Sequence, residues 1–539
     1  MKKLFLCVAL FTLKATAQER PKLVVGIVVD QMKAEYLYRF SDDFSEKGFK
    51  RLMNKGFVFD NTHYNYMPTS TAPGHSSIYT GTTPSVHGIM GNDWFNRSLG
   101  RKMYCTDDKS VKALGESIKT EGEMSPRNLL ATTITDELRL STNFRGKVIG
   151  LSLKDRSSIL PAGHFANWAF WYSNSGNFIS STFYGEQLPD WVTQFNSEKN
   201  YQKYVDGGWN LLKPVATYDE SLPDENPYET ELFKHKPVFP YNLKEMFQAK
   251  GPEIMRSIPF GNDFLAEFAK KAIVNEQLGK DNITDFLALS FSATDYVGHD
   301  FGTRSMEVQD TYLRLDETIA DFLTFLDKTV GKGNYLVFLT ADHAAAESAN
   351  LMNKDRKYDV LNVPAKEIRE AIKKFSVDKY GVDFNQNYMK YNLHLNRELI
   401  SQKGLVFNDV RQAFKTFLMT QPQVKRVFTE EEILAYSGND LYINNIYRGY
   451  DPTQSGDLII LDKPGFVQNW IPTGTDHATP YNYDTHVPLL FYGWNVKKGK
   501  NHDRKEITQI APTIAQMLSI TLPNATEAKI LTEVFDNKK

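Results

Sequence analysis

Cysteine is almost absent from this chain: 539 residues contain two, Cys7 and Cys105. Cys7 lies in an apolar N-terminal run, so a chain that sheds that run keeps Cys105 alone. No intramolecular disulfide and no cysteine-rich metal site can then form, and any metal must be held by His, Asp and Glu. Excess charge of either sign is also missing. The formal net charge is -2, so no global field favours nucleic acid or an anionic membrane, and an anionic substrate needs a local site. Internal repeats and low-complexity linkers are absent. The apolar run at residues 4–13 is too short to span a bilayer, and nothing later looks transmembrane.

What the N-terminus does have is the pattern of an export leader. Lys2 and Lys3 precede the apolar run, and Ala15-Thr16-Ala17 supplies small residues for cleavage, so residues 1–17 read as a signal peptide and Gln18 as the mature start. Lys14 is unusual so close to the cleavage pattern, and Cys7 comes too early for a lipoprotein site.

Five short segments are apolar throughout: 23–29 (LVVGIVV), 148–153 (VIGLSL), 286–291 (FLALSF), 335–339 (YLVFL) and 487–492 (VPLLFY). Strands buried on both faces suit a parallel sheet covered by helices. Helical spacing appears at 304–328, where Met306, Leu313, Ile319, Phe322 and Leu326 fall on one face, and again at 507–518. Strands alternating with helices predict an α/β sandwich, with a mostly parallel central sheet between helices. Residues 157–260 and 352–455 break the pattern and read as insertions in one catalytic domain spanning 18–539.

Polar residues fall where these strands end. Asp30 follows the first strand, Lys154 and Arg156 the second, Asp295 and His299 the third, and Asp342 and His343 the fourth. Open parallel sheets bind ligands at the carboxyl ends of their strands, so four strands deliver Asp, His, Lys and Arg to one edge. Singly, each is more often a cap or a turn residue. Together they supply imidazole and carboxylate donors enough for two zinc ions. The segment 67–81 (MPTSTAPGHSSIYTG) offers a nucleophile. Pro73 can start a helix. Thr71 would then sit just before the helix, where backbone N–H groups favour a phosphoryl anion. Thr69 and Ser70 are its rivals.

The ordered motifs VVDQM at Asp30, PTSTAPGH at Thr71, GIMGNDW at Asn92, SLKDR at Lys154 and Arg156, SATDYVGH at Asp295 and His299, TADH at Asp342 and His343, and TDHATPYNYDTHVPLLFYG resemble the alkaline phosphatase superfamily. The likeness is greatest to its phosphate-irrepressible periplasmic alkaline phosphatases, which share the type I phosphodiesterase/nucleotide pyrophosphatase fold. That resemblance implies one zinc among Asp30, Thr71, Asp342 and His343, and a second held by Asp295, His299 and His477. His486 competes for the last place. His477 is preferred because family members carry this ligand upstream of the final apolar strand. Glycine usually follows it, whereas this chain has Ala478.

By the same resemblance Asn92, Lys154 and Arg156 bind the phosphoryl oxygens, and Thr71 is the nucleophile of a two-step phosphate monoester hydrolysis through a phosphothreonine. With the leader, the expected protein is periplasmic or secreted, a monomer acting on small phosphorylated substrates. A phosphodiesterase of the same superfamily would not need Lys154 and Arg156. A sulfatase would resemble Cys/Ser-x-Pro-x-Arg at the nucleophile. A cofactor-independent phosphoglycerate mutase would use serine and lack a leader. An exported binding protein with a decayed site would have lost ligands.

Overall fold

A computed structural model describes residues 20–116, 118–356, 362–468 and 473–535. The leader expected at residues 1–17 lies outside the described residues.

The first strand, Leu23–Val29, is buried along its whole length. Each fully buried Val, Leu or Ile there is worth about 1.5–3 kcal/mol. Its parallel neighbours are Tyr335–Thr340 on one side and Asp285–Phe291 on the other, and Val148–Ser152 then Trp168–Tyr172 continue the parallel block. Val28 pairs with both Thr340 and Ser290, and Ser290 with Ser152. Four strands therefore finish level with one another, and the polar residues after them share one edge.

His486–Gly493 departs from the parallel pattern. It lies antiparallel to both Tyr335–Thr340 and Phe57–His63. The preceding chain has been working above the carboxyl edge, so it must descend through the sheet. An apolar run reports burial on both faces, not direction.

The first expected insertion, 157–260, does not begin at residue 157. Helix Asp155–Ala162 and strands Trp168–Tyr172 and Phe178–Ser181 belong to the central fold and extend its sheet. The strand WAFWY is built from aromatics and alanine in an aromatic-, Asn- and Gly-rich stretch, so it reads from sequence as irregular. The second segment, 352–455, contains most of a separate small body. Asn385–Met389, Asn392–Leu395, Leu458–Asp462 and Val424–Phe428 form an antiparallel sheet with its own apolar cluster, including Ile372, Phe414 and Val427. The sheet needs Leu458–Asp462, past the expected boundary. Met67 and Ala478 join the same cluster. The small body is thus packed onto the loops flanking Thr71 and His477.

Candidate active site

Asp30, Asp342 and His343 meet at the ends of the first and fourth strands, all fully buried. His343 Nε2 is 3.5 Å from Asp30 Oδ1 and 3.7 Å from Asp342 Oδ2. His343 Nδ1 lies 3.0 Å from the Ala344 carbonyl oxygen, which can only accept, so Nδ1 carries the proton and Nε2 keeps its lone pair. Burial pulls His343 down to about 3. Burial, and then Asp30, push Asp342 well above the usual carboxylate range. Asp30 Oδ1, Asp342 Oδ2 and His343 Nε2 have no hydrogen-bond partner among the described residues. Buried acceptors left unpaired together are costly, and their chemistry suits a cation.

Asp295 and His299 form a second group on helix Ala293–Phe301, one turn apart, and His477 joins them. His299 Nδ1 donates to the Thr475 carbonyl at 2.8 Å, and His477 Nδ1 to the Thr69 carbonyl at 2.7 Å. Both rings therefore also present Nε2. His299 Nε2 is 3.2 Å from Asp295 Oδ1. Burial lowers His299, but Asp295 outweighs it and the imidazole rises to about 9. His477, buried and stacked on His343, is driven well below its ordinary value. Imidazole nitrogen with carboxylate oxygen is a zinc donor set, and backbone carbonyls that orient the rings are its usual support. His486 stands elsewhere. Its Nε2 lies 2.8 Å from the Asp60 carbonyl and its ring stacks on His63.

Helix Thr71–Thr80 starts at Thr71 itself, with Ser70 extended before it. The start expected at Pro73 is two residues late, because proline tolerates any place in the first turn. The anion cradle is also smaller than expected. Asn92 Oδ1 accepts the Ala72 N–H at 2.8 Å, and Pro73 has none. Thr71 is 1% exposed. Of its rivals, Thr69 donates its hydroxyl to the Thr479 carbonyl at 2.9 Å. Gly74 allows the helix to lie against the fourth strand's end, since a Cβ there would stand 2.2 Å from the Asp342 carbonyl oxygen. Sequence reasoning passed over His75, one residue on. Its Nδ1 donates to the Thr71 carbonyl at 2.9 Å and lies 3.4 Å from Asp342 Oδ2, and Ser290 Oγ meets its Nε2 at 2.9 Å. Burial pulls this ring down to about 4, so it is neutral and ties the Thr71 turn to Asp342 and the third strand.

Lys154 and Arg156 leave the second strand as predicted but are not surface residues snorkelling outward. Lys154 Nζ stands 2.7 Å from Asp30 Oδ2 and 2.5 Å from Asp295 Oδ2, one carboxylate from each group. Burial works against its charge, but Asp295 and Asp30 overcome it and raise the ammonium's pKa. Arg156 Nη1 donates to the Tyr104 hydroxyl at 3.2 Å. Asn92, His299 and His477 line a cleft of ≈ 700 Å³ with Trp94, Tyr388 and Lys390, the last two from the small body.

Ala478 follows His477 with φ +102, fully buried. This is the left-handed side of backbone space, where glycine is at ease. Glycine would relieve about 1–2 kcal/mol of strain. It would also free the unfolded chain by about 0.4–1 kcal/mol and give up about 0.8 kcal/mol of methyl burial. The effects nearly cancel, which is how alanine persists here. Ala478→Gly is expected to shift stability by less than about 1 kcal/mol in denaturant unfolding, and Ala478→Val to lose about 2 kcal/mol or more.

The sequence pattern of the type I phosphodiesterase / nucleotide pyrophosphatase family matches residues 24–486. Alkaline phosphatase PafA of Elizabethkingia meningoseptica is 44% identical over 528 residues, 97% of this chain and 96% of that protein. Alkaline phosphatase PhoV of Synechococcus elongatus is 44% identical over 521 residues, 96% of this chain and 93% of that one. A Myroides odoratus protein named a calcium-transporting ATPase is 46% identical over 513 residues, 94% of this chain and 93% of its own. The crystal structure of wild-type PafA superposes with a TM-score of 0.93 at 44% identity, covering 96% of this chain and all of that one.

Proposed function

This chain belongs to the type I phosphodiesterase / nucleotide pyrophosphatase family, and from that membership we propose that it is an alkaline phosphatase, hydrolysing phosphate monoesters with two zinc ions and Thr71 as nucleophile. Its support comes from PafA and PhoV, both named alkaline phosphatases and both matched over almost their whole length. The observation that carries the site is local. Two donor sets, one of them with three unpartnered buried donor atoms, flank the turn that presents Thr71.

Asp30, Asp342 and His343 would hold one ion, with Thr71 beside it, and Asp295, His299 and His477 the other. Zinc, when bound, supplies Lewis acidity that lowers the pKa of a coordinated oxygen and offsets charge on the phosphoryl group. Thr71 Oγ1 loses its proton to solvent and attacks phosphorus. The P–O bond to the leaving group breaks, the departing alcohol takes a proton, and a phosphothreonine remains. Water then attacks that phosphorus, returning the Thr71 hydroxyl and releasing phosphate. Asn92 braces the Thr71 turn through Ala72 and turns its amide N–H₂ to the phosphoryl oxygens. Lys154 and Arg156 supply the cationic charge that a monoester dianion requires and a diester does not.

Export, through the leader at residues 1–17, is part of the same proposal and rests on the basic start, apolar run and small-residue cleavage pattern there. The name carried by the Myroides relative is compatible only in its hydrolytic half. No helix among the described residues is long and apolar enough to cross a membrane.

The test is metal analysis of purified residues 18–539, followed by rates on a chromogenic phosphate monoester and the matching diester. About two zinc ions per chain and a faster monoester are expected. Zinc with a faster diester would make the protein a phosphodiesterase, and no zinc with no turnover would make it a binding protein.

A further inference from the structure

Gln31, the residue after Asp30, sits at φ +66, a left-handed conformation that a non-glycine residue rarely holds. It is 4% exposed. Two donors of this residue reach different carboxylates. The backbone N–H of Gln31 donates to Asp342 Oδ1 at 3.1 Å, and its side-chain Nε2 donates to Asp295 Oδ1 at 2.7 Å. Asp342 belongs to one donor group and Asp295 to the other. One residue thus hydrogen-bonds a carboxylate in each.

The surroundings are shaped to it. Gly298 lies on the same helix as Asp295 and His299, and a Cβ there would stand 1.9 Å from Gln31 Oε1. The side chain therefore occupies the space that a larger residue between Asp295 and His299 would fill. A left-handed φ at residue 31 places the side chain toward Asp295 while the N–H faces Asp342, and a strained conformation held between two candidate ligand groups is a feature of sites whose geometry is fixed for function.

We infer that Gln31 is a positioning residue that sets the spacing of the two zinc groups, resting as this does on the two-zinc function proposed above. Its hydrogen bonds go to Asp342 and Asp295, not to Thr71. It fixes the orientation of Asp295 through its amide and that of Asp342 through its main chain. Outer hydrogen bonds of this kind typically govern metal affinity by about 10–100-fold. Only the amide is removable by substitution, so the two groups should respond unequally. That asymmetry is what a general structural role would not produce.

The experiment uses the chain 18–539 stripped of metal, as wild type, Gln31→Gly and Gln31→Met. Glycine adopts the backbone at residue 31 without strain but has no amide. Methionine nearly fills the same volume but cannot donate. Each protein is titrated with zinc against a chromogenic chelator, and its metal-free melting is recorded. The wild type is expected to take two ions. Both variants are expected to take two, one of them bound ~10-fold or more weakly and the other close to its wild-type affinity. Metal-free Gln31→Gly should remain folded at the temperature of the titration, and raising free zinc should restore its turnover. Unchanged affinities, or two affinities that fall together, would overturn the role of Gln31 while leaving the two-zinc function standing. A wild type that binds no zinc would overturn both.

Discussion

Replacing Thr71 with alanine is expected to lower kcat for a phosphate monoester by ~10⁴-fold or more while inorganic phosphate still binds. The size follows from what is lost. A nucleophile that acts as a unit with its activating groups cannot be replaced by the remainder of the site, so its removal costs nearly the whole covalent pathway. Binding survives because the proposed phosphoryl contacts belong to Asn92, Lys154, Arg156 and the metal groups. Thr71→Ser keeps a hydroxyl at the same turn and should retain measurable turnover. The adjacent hydroxyls are the control. Thr69 donates its hydroxyl to the Thr479 carbonyl, and its own carbonyl holds His477 Nδ1. Thr69→Val should therefore disturb zinc affinity before it touches the chemical step. Rapid-quench capture of labelled enzyme separates the cases. Label on the wild type and none on Thr71→Ala identifies the nucleophile, and a labelled Thr71→Ala protein would move it to Ser70 or Thr69.

The edge on which these polar residues gather was legible in the sequence because burial and polarity collide there. A strand such as Tyr335–Thr340, apolar up to Leu339 and followed closely by Asp342 and His343, leaves few places for those groups except a shared site. Four such endings imply one edge once the sheet is parallel. Strand direction was not legible, since His486–Gly493 is as apolar as its parallel neighbours and runs the other way. Residues whose role is set by packing were hidden as well. His75 and Gln31 look like ordinary polar residues beside Thr71 and Asp30. What distinguishes them is a ring wedged among Thr71, Asp342 and Ser290, and a positive φ, and neither has a compositional signature. Ala478 is the converse. A departure from the expected glycine was visible in sequence, and its meaning came only with the backbone at φ +102.

Lys154 shows most clearly how a residue singled out in sequence can occupy an unexpected place, and it sets up the second large effect. The Lys154→Ala, Arg156→Ala double variant is expected to lose ~10³-fold in kcat/KM on a monoester and less than ~10-fold on the matching diester. Charge-assisted hydrogen bonds contribute about 1.5–3 kcal/mol each, and two of them give a factor of that order. The dianionic monoester loses both, and the diester has one negative charge fewer to lose them from. Lys154 has a further duty that must be separated from this one. Its ammonium is buried between Asp30 and Asp295. Removing it leaves those carboxylates facing each other without a counter-charge, a loss of about 3–5 kcal/mol for a broken buried pair. Metal-free Lys154→Ala should therefore melt well below the wild type. Zinc, which binds only the folded state, should recover much of that difference. Arg156, engaged with Tyr104 rather than with the metal groups, should show little of it. Rates must then be compared at saturating zinc. A monoester preference that collapses there in the double variant assigns both cations to the phosphoryl group. A preference that persists, together with a large metal-free stability loss in Lys154→Ala, would make Lys154 the counter-ion of the empty carboxylates and leave monoester selectivity to the metals.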